Sequence, residues 1–394
     1  MGRQDDAGRA YDVVLFGATG FAGRLTAAYL AAHAPESCRW ALAGRNRAKL
    51  ERLRDELAAR HPACADLPLL HADSADPDSL RSVATATRVL ATTVGPYLTY
   101  GEPLVAACAA AGTDYVDLTG EAEFVDRMYL RHDATARASG ARLVHACGFD
   151  SVPHDLGAQY TVGLLPEGVP LRLAGFVRSN ATFSGGTLAS ALTAVSRPLG
   201  MVRAARERQR AEPRPVGRTV RAVLGAPTRE QGVWGVPLPT LDPQVIARSA
   251  AALERYGPDF HYRHYAGVKS LPVAVGGVLG AGAACGLAQL PPARRWLSAR
   301  LAPGEGPDEA RRASSWFAVR FVGEGGGRRV VTEVAGGDPG YDETAKMLAE
   351  SALSLAYDEL PDTAGQVTTA VAMGDALRER LTRAGLRFRV VGTD

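Results

Sequence analysis

Three glycines stand at every third position in Gly17-Ala-Thr-Gly20-Phe-Ala-Gly23, directly after the apolar run Val13–Phe16 and before the helix-like Leu25–Ala32. A strand that passes through a tight glycine turn into a helix start is suited to holding a diphosphate. Gly17 permits the turn, Gly20 lets the backbone approach the pyrophosphate, and Gly23 lets helix and strand pack closely. Free N–H groups and the helix dipole then favour negative charge. A second apolar strand, Trp40–Ala43, ends in Gly44-Arg45-Asn46-Arg47. An NAD-preferring fold carries an acid near this point, but none occurs here before Glu51. Arginine suits a ribose 2′-phosphate, because its planar fork can donate two hydrogen bonds to one phosphate. The expected cofactor is therefore NADP(H), held by Gly17, Thr19, Gly20, Phe21, Gly23, Arg45, Asn46 and Arg47. The competing reading is that Arg45 and Arg47 merely open a solvated helix, Ala48–Arg60.

Such a turn needs a parallel sheet behind it, and the first half of the chain alternates strand-like and helix-like segments. Pro68–His71 is a predicted third strand and Pro77–Ala86 the helix after it. Arg88–Val94 is a fourth strand, running into Gly95-Pro96-Tyr97 at the carboxyl edge, where ligands bind in open α/β folds. Val94, Gly95 and Pro96 join the cofactor set on that ground. Strands Asp114–Leu118 and Arg142–Ala146, with helices Glu102–Ala111 and Phe124–Ser139, complete the unit. The expected fold class is α/β: a doubly wound Rossmann domain over 1–148 and a second α+β domain with a mixed or antiparallel sheet over 149–360. A C-terminal helix within 361–394 is expected to return to the first domain. Val202–Pro227, rich in arginine and proline, is predicted to be a surface loop or short helix, and Glu324–Gly327 a hairpin turn.

A chain of 394 residues has room for two domains with sizeable cores. Its net charge of +3 argues against binding nucleic acid through phosphate contacts. Five scattered cysteines, with no C-x-x-C pair, fit reduced thiols in a cytoplasmic protein better than disulfides or zinc. Leu271–Leu290 carries no charge and is long enough to cross a bilayer, but five glycines and Pro272 weaken its hydrophobicity. Three readings stand for it: a buried or homodimer-interface helix, an element contacting lipid at a membrane surface, and a true span.

The chain resembles the saccharopine-dehydrogenase-like oxidoreductases, and most closely their bacterial branch of trans-acting enoyl reductases. The matching runs include Gly17–Gly23, Leu42-Ala-Gly-Arg45-Asn, Val94-Gly-Pro96-Tyr97 and Asp114-Tyr-Val-Asp117-Leu-Thr-Gly120-Glu121. They continue with Gly148-Phe-Asp150-Ser-Val-Pro153-His-Asp155, Ser184-Gly-Gly186-Thr187 and Tyr341-Asp-Glu-Thr344. The resemblance implies a Rossmann domain followed by an α+β domain. It also implies reduction of a carbon–carbon double bond in a polyketide or fatty-acyl intermediate, in trans to a synthase that lacks this activity. One run departs from the family pattern, Ala364–Ala370, and its local loop is the part in question. Two other readings stand beside it: a saccharopine-type amino-acid dehydrogenase, and a non-catalytic NADP-binding scaffold associated with lipid.

Reducing a conjugated enoyl thioester requires hydride at the β-carbon, a donor to the thioester carbonyl and a proton for the α-carbon. Candidates must lie near the loops after strands four to six. Tyr97 and His154 are the candidate proton donors, and Glu121 and Asp150 the candidate substrate contacts. Tyr265 and Lys269 have the Y-x-x-x-K spacing of short-chain dehydrogenases, but they fall far outside the Rossmann unit and are read as coincidence. His261 and His264 lack a third plausible ligand in the sequence, so no metal is expected.

Overall fold

The computed structural model describes residues 8–181, 197–230, 232–270 and 307–393, with the single positions 272 and 276. The chain divides into two compact units. One holds the chain up to Gly148 together with Tyr341–Leu381. The other runs from Phe149 to Gly340 and takes up the chain again at Thr382.

The first unit opens with β1 (Tyr11–Phe16), β2 (Trp40–Gly44), β3 (Leu69–His71), β4 (Thr87–Thr92), β5 (Asp114–Asp117) and β6 (Arg142–Val144). Strands β1, β2 and β4 read as nearly unbroken apolar runs because both faces of the parallel sheet are covered. Val14, Phe16, Leu90 and Tyr115 share a core with Leu80, Val105, Cys108 and Phe124 from the crossover helices. The alternate residues Val13, Leu15 and Val89 point to the other face, as the two-residue period of a strand demands. They too are fully buried.

The second unit contains β7 (Leu171–Ser179), β8 (Thr219–Ala222), β9 (Thr228–Glu230), β10 (Val233–Pro237), β11 (Asp259–Val268), β12 (Phe317–Gly325) and β13 (Arg328–Gly336). Its sheet is mixed, since β7 and β8 both run parallel to β11 while β12 is antiparallel to β7 and β13. The β12–β13 turn falls at Gly326 and Gly327, whose φ values of 56° and 77° suit glycine. The helix Val152–Gly163 lies close on this sheet. A Cβ at Gly157 would stand 2.4 Å from Phe321 and 2.8 Å from Val334.

The return to the first unit comes earlier than residue 361. Helix Asp342–Tyr357 is buried along nearly its whole length and packs on β1, β4 and β5 as part of the Rossmann core. The segment 361–394 is also more than a returning helix. β14 (Gly365–Val367) pairs with β6, and β15 (Arg387–Thr393) pairs with β13 in the second sheet. The first sheet thus has seven parallel strands in the order β14-β6-β5-β4-β1-β2-β3, and the second runs β15-β13-β12-β7-β11-β10-β9 with β8 beside β11. Within Val202–Pro227, helix Pro198–Ala211 is longer than expected, and Thr219–Ala222 is strand because β11 offers it an edge.

Segment 271–290 lies outside the described residues apart from positions 272 and 276, as do Ser184–Thr187 and Cys285. Among the described residues no helix is long and apolar enough to cross a membrane. Cys38, Cys64, Cys108 and Cys147 are free thiols.

Candidate functional site

The glycine turn of the first unit is tight, and its helix start is uncovered. Gly17 sits at φ +84°, and its N–H donates to Ala43 O at 3.1 Å. Gly20 N–H donates back to Gly17 O at 3.0 Å and caps helix Phe21–His33 with no side chain on the helix start. A Cβ at Gly23 would lie 2.2 Å from Gly17 O, so only glycine lets this helix approach so near the turn. At Gly20 the nearest heavy atom to a Cβ is 3.4 Å away, which leaves that backbone open to a ligand. An uncapped helix start with no acid in its first turn fits an anionic group.

Around the turn, the other expected cofactor residues divide into two sorts. Val94 packs over Gly17, 2.6 Å from the position a Cβ would take, and Thr93 Oγ1 donates to Gly17 O at 3.1 Å. Arg45 is exposed at the end of β2, with no hydrogen bond or ion pair to any described residue. Asn46 caps helix Arg47–Ala58 by accepting from Lys49 N–H at 3.0 Å. Arg47 is already engaged, donating to Glu51 at 2.9 Å and to Leu69 O at 3.0 Å.

The candidates for chemistry are placed differently from the sequence expectation. Tyr97 is buried, and its hydroxyl donates to Thr92 O at 3.2 Å while accepting from Leu118 N–H at 3.1 Å. Burial and the nearby Asp117 hold its proton well above the usual tyrosine range. That proton fastens β4 to the turn after β5 and is a poor one to donate. Glu121 is 1% exposed. Its two carboxylate oxygens accept the N–H groups of Tyr97 and Leu98, which makes it the anchor of the Gly95–Pro96 loop. Gly95–Pro96 itself is a cis peptide.

Sequence reading passed over Asp117 as a structural centre. Its Oδ1 accepts from the N–H groups of Thr119 and Ala146, and its Oδ2 from the Tyr115 hydroxyl at 2.9 Å. His145 Nδ1 lies 2.6 Å from the same Oδ2. One buried carboxylate thereby fixes the carboxyl ends of β5 and β6. The run of acid and threonine in Asp117-Leu-Thr119 was the available signal.

In the second unit, His154 is 2% exposed and lies in the first turn of helix Val152–Gly163. Its Nδ1 is 3.1 Å from Asp242 Oδ1, and His264 Nε2 is 3.5 Å from Asp242 Oδ2. His264 therefore has neighbours that the sequence order did not show. His154, Asp242 and His264 form a group whose ligand atoms all lie within 4.8 Å of one another. His261 stands apart, 3.2 Å from Asp259. No motif spacing links these positions, because they come from two helix starts and β11. Burial pushes His154 below its ordinary value and His264 down to about 4, against the attraction of Asp242. Asp150, nearby in the chain, is exposed as a residue. Burial of its carboxyl, aided by the charge of Asp242, raises it to about 7.

A family model of the saccharopine dehydrogenase NADP binding domain matches residues 13–144. Over the full length, a Mycobacterium tuberculosis protein named among the trans-acting enoyl reductases is 39% identical, across 97% of each chain. The trans-acting enoyl reductase of Mycobacterium leprae is 36% identical, across 98% of each.

The chain belongs to the trans-acting enoyl reductases. As a member of that family with an NADP-binding domain, it is an NADPH-dependent oxidoreductase. The same fold occurs in saccharopine dehydrogenase (L-Glu forming) from Saccharomyces cerevisiae. That structure matches 97% of this reductase and 100% of its own chain at a TM-score of 0.55 and 13% identity, a likeness of fold alone.

Proposed function

We propose that this protein reduces the carbon–carbon double bond of an α,β-unsaturated polyketide or fatty-acyl intermediate carried by a synthase. The observation that carries the reading is its full-length similarity to trans-acting enoyl reductases, joined to a glycine turn whose helix start bears no side-chain cap. Bound there, NADPH supplies a hydride. The chain contributes the diphosphate cradle at Gly17, Gly20 and Gly23, and Arg45 as the partner of the 2′-phosphate. Glu121 and Tyr97 contribute by holding the loop after β4 in place.

For the proton, Asp150 is favoured over Tyr97 and His154. Tyr97 has committed its hydroxyl to backbone, and His154 is enclosed. Burial and the charge of Asp242 raise the Asp150 carboxyl, so it keeps its proton nearer to neutral pH than an ordinary carboxyl does, the direction that suits a general acid. The uncharged stretch 271–290 belongs to the same proposal as a contact for the acyl chain or for a lipid surface. A charged pair at Val275 and Leu279 would then abolish co-sedimentation with liposomes.

The deciding experiment follows NADPH oxidation with enoyl thioesters of increasing chain length and with the same acyl groups on a carrier protein. Turnover that rises with chain length, or on the carrier, supports the reading. Tight NADPH binding with no turnover on any of them overturns it.

A further inference from the structure

Apart from the glycine turn, one cluster in the second unit has polar atoms that its surroundings leave unanswered. His154 comes from the first turn of helix Val152–Gly163, Asp242 opens helix Asp242–Ala252, and His264 lies within β11. All three are at least 97% buried. Asp242 accepts from Ser151 Oγ at 3.2 Å and from Thr240 Oγ1 at 2.5 Å. The imidazoles fare worse. Neither ring nitrogen of His154 makes an aligned side-chain hydrogen bond, its ring having only the Phe149 backbone nearby, and Nε2 of His264 has no hydrogen-bond partner among the described residues. A buried polar atom left unpaired costs about 1–3 kcal/mol, so imidazole nitrogens facing one carboxylate without aligned bonds call for a partner.

We infer that His154, Asp242 and His264 form a site for one divalent transition-metal ion of the zinc type. Two imidazoles and a carboxylate are the donor set that such borderline ions prefer. Metal–ligand bonds of about 2.0–2.1 Å in a tetrahedron place ligand atoms about 3.3 Å apart. His154 Nδ1 lies 3.1 Å from Asp242 Oδ1 and His264 Nε2 3.5 Å from Oδ2, both near that edge length, and the three ligand atoms all lie within 4.8 Å of one another. The 3.1 Å contact lacks the alignment of a hydrogen bond, which is the arrangement expected where lone pairs of both atoms face a shared cation. His264 is already oriented for the task. Its Nδ1 is 2.7 Å from the Tyr262 hydroxyl, so Nδ1–H can donate there and leave the Nε2 lone pair toward Asp242.

Because the group is closed from solvent, its work is structural, with the second Asp242 oxygen available as the fourth donor. An ion there ties the starts of two helices to a central strand and neutralises a buried carboxylate. The inference does not rest on the enoyl-reductase reading and is tested without turnover.

The test uses the full chain with any affinity tag removed. The wild-type protein is stripped with a chelator, reloaded with Zn(II) or Co(II), and followed by metal analysis, visible absorption and thermal unfolding. The expected result is about one zinc per chain, a Co(II) ligand-field spectrum and a melting point that falls on stripping and recovers on reloading. His264→Gln is expected to lose the metal, and Tyr262→Phe to keep it with affinity weakened about 10–100-fold. If His264→Gln fails to fold, the wild-type cycle decides alone. Wild-type protein that takes up no zinc from excess, shows no Co(II) spectrum and melts at one temperature throughout overturns the site.

Discussion

Glu121 accepts the backbone N–H of Tyr97 at 3.0 Å through one carboxylate oxygen and that of Leu98 at 2.9 Å through the other. A residue that sequence alone marks as a substrate contact is thus the clamp on the loop following β4. Glu121→Ala should lower stability by about 1–3 kcal/mol, since two buried N–H groups lose their acceptors. NADPH affinity should fall with it, because Val94 covers Gly17 from the same loop. Thermal unfolding and a tryptophan-fluorescence titration with NADPH check both effects. A variant with native stability and lost turnover would restore Glu121 to the substrate.

The glycines of the turn should respond differently to alanine. Gly23→Ala drives a Cβ to within 2.2 Å of Gly17 O and 2.8 Å of Ala18 Cα, backbone that cannot step aside. It should cost several kcal/mol, as overpacking against fixed backbone does, and show as a lowered melting point without any ligand. Gly20→Ala meets nothing nearer than 3.4 Å and should melt like wild type. Its loss should appear only in NADPH affinity, where the methyl meets the diphosphate.

Arg45 and Arg47 should contribute unequally to cofactor choice. Arg45 has no partner among the described residues, whereas Arg47 already bonds to Glu51 and Leu69 O. Arg45→Ala should weaken NADPH by roughly 10-fold or more, the worth of a charge-assisted hydrogen bond, and leave NADH unchanged. Arg47→Ala should have the smaller effect. Equal losses for NADPH and NADH in the Arg45 variant would remove it from 2′-phosphate recognition.

Asp150 gives the pH dependence a definite sign. Its folded value of about 7 lies above the unfolded value near 3.9, so its protonated form is the one the fold favours. Stability from this group is fully present below the unfolded value and is lost as pH rises through about 7. A reaction that takes its proton from Asp150 should slow over the same upper range. Asp150→Asn should flatten the stability profile and remove the pH dependence of kcat together. A flattened stability profile with an unchanged kcat profile would assign the proton to another group.

The cofactor end of the molecule was legible early because its signals are local. Val13–Phe16 and the three glycines fix strand, turn and helix within a dozen residues, and Arg45 follows at the end of the next strand. Strand β14 was hidden for the opposite reason. Gly365-Gln-Val carries no strand pattern and is held by distant partners: Gln366 N–H donates to Asp133 at 2.8 Å and its side-chain amide to Val125 O at 2.8 Å. Helix Asp342–Tyr357 falls inside the range expected for the second domain yet belongs to the Rossmann core, because periodicity says which face is apolar and not which sheet will cover it.

The sequence by itself determined the Rossmann unit, the NADP(H) preference and the kinship to enoyl reductases, all of which rest on neighbouring residues in fixed spacing. Only the tertiary structure decided what Tyr97, Glu121 and His154 touch. A side chain's chemistry depends on which groups desolvate it and bond to it. For His154 those groups stand about 90 and 110 positions away in the chain, at Asp242 and His264.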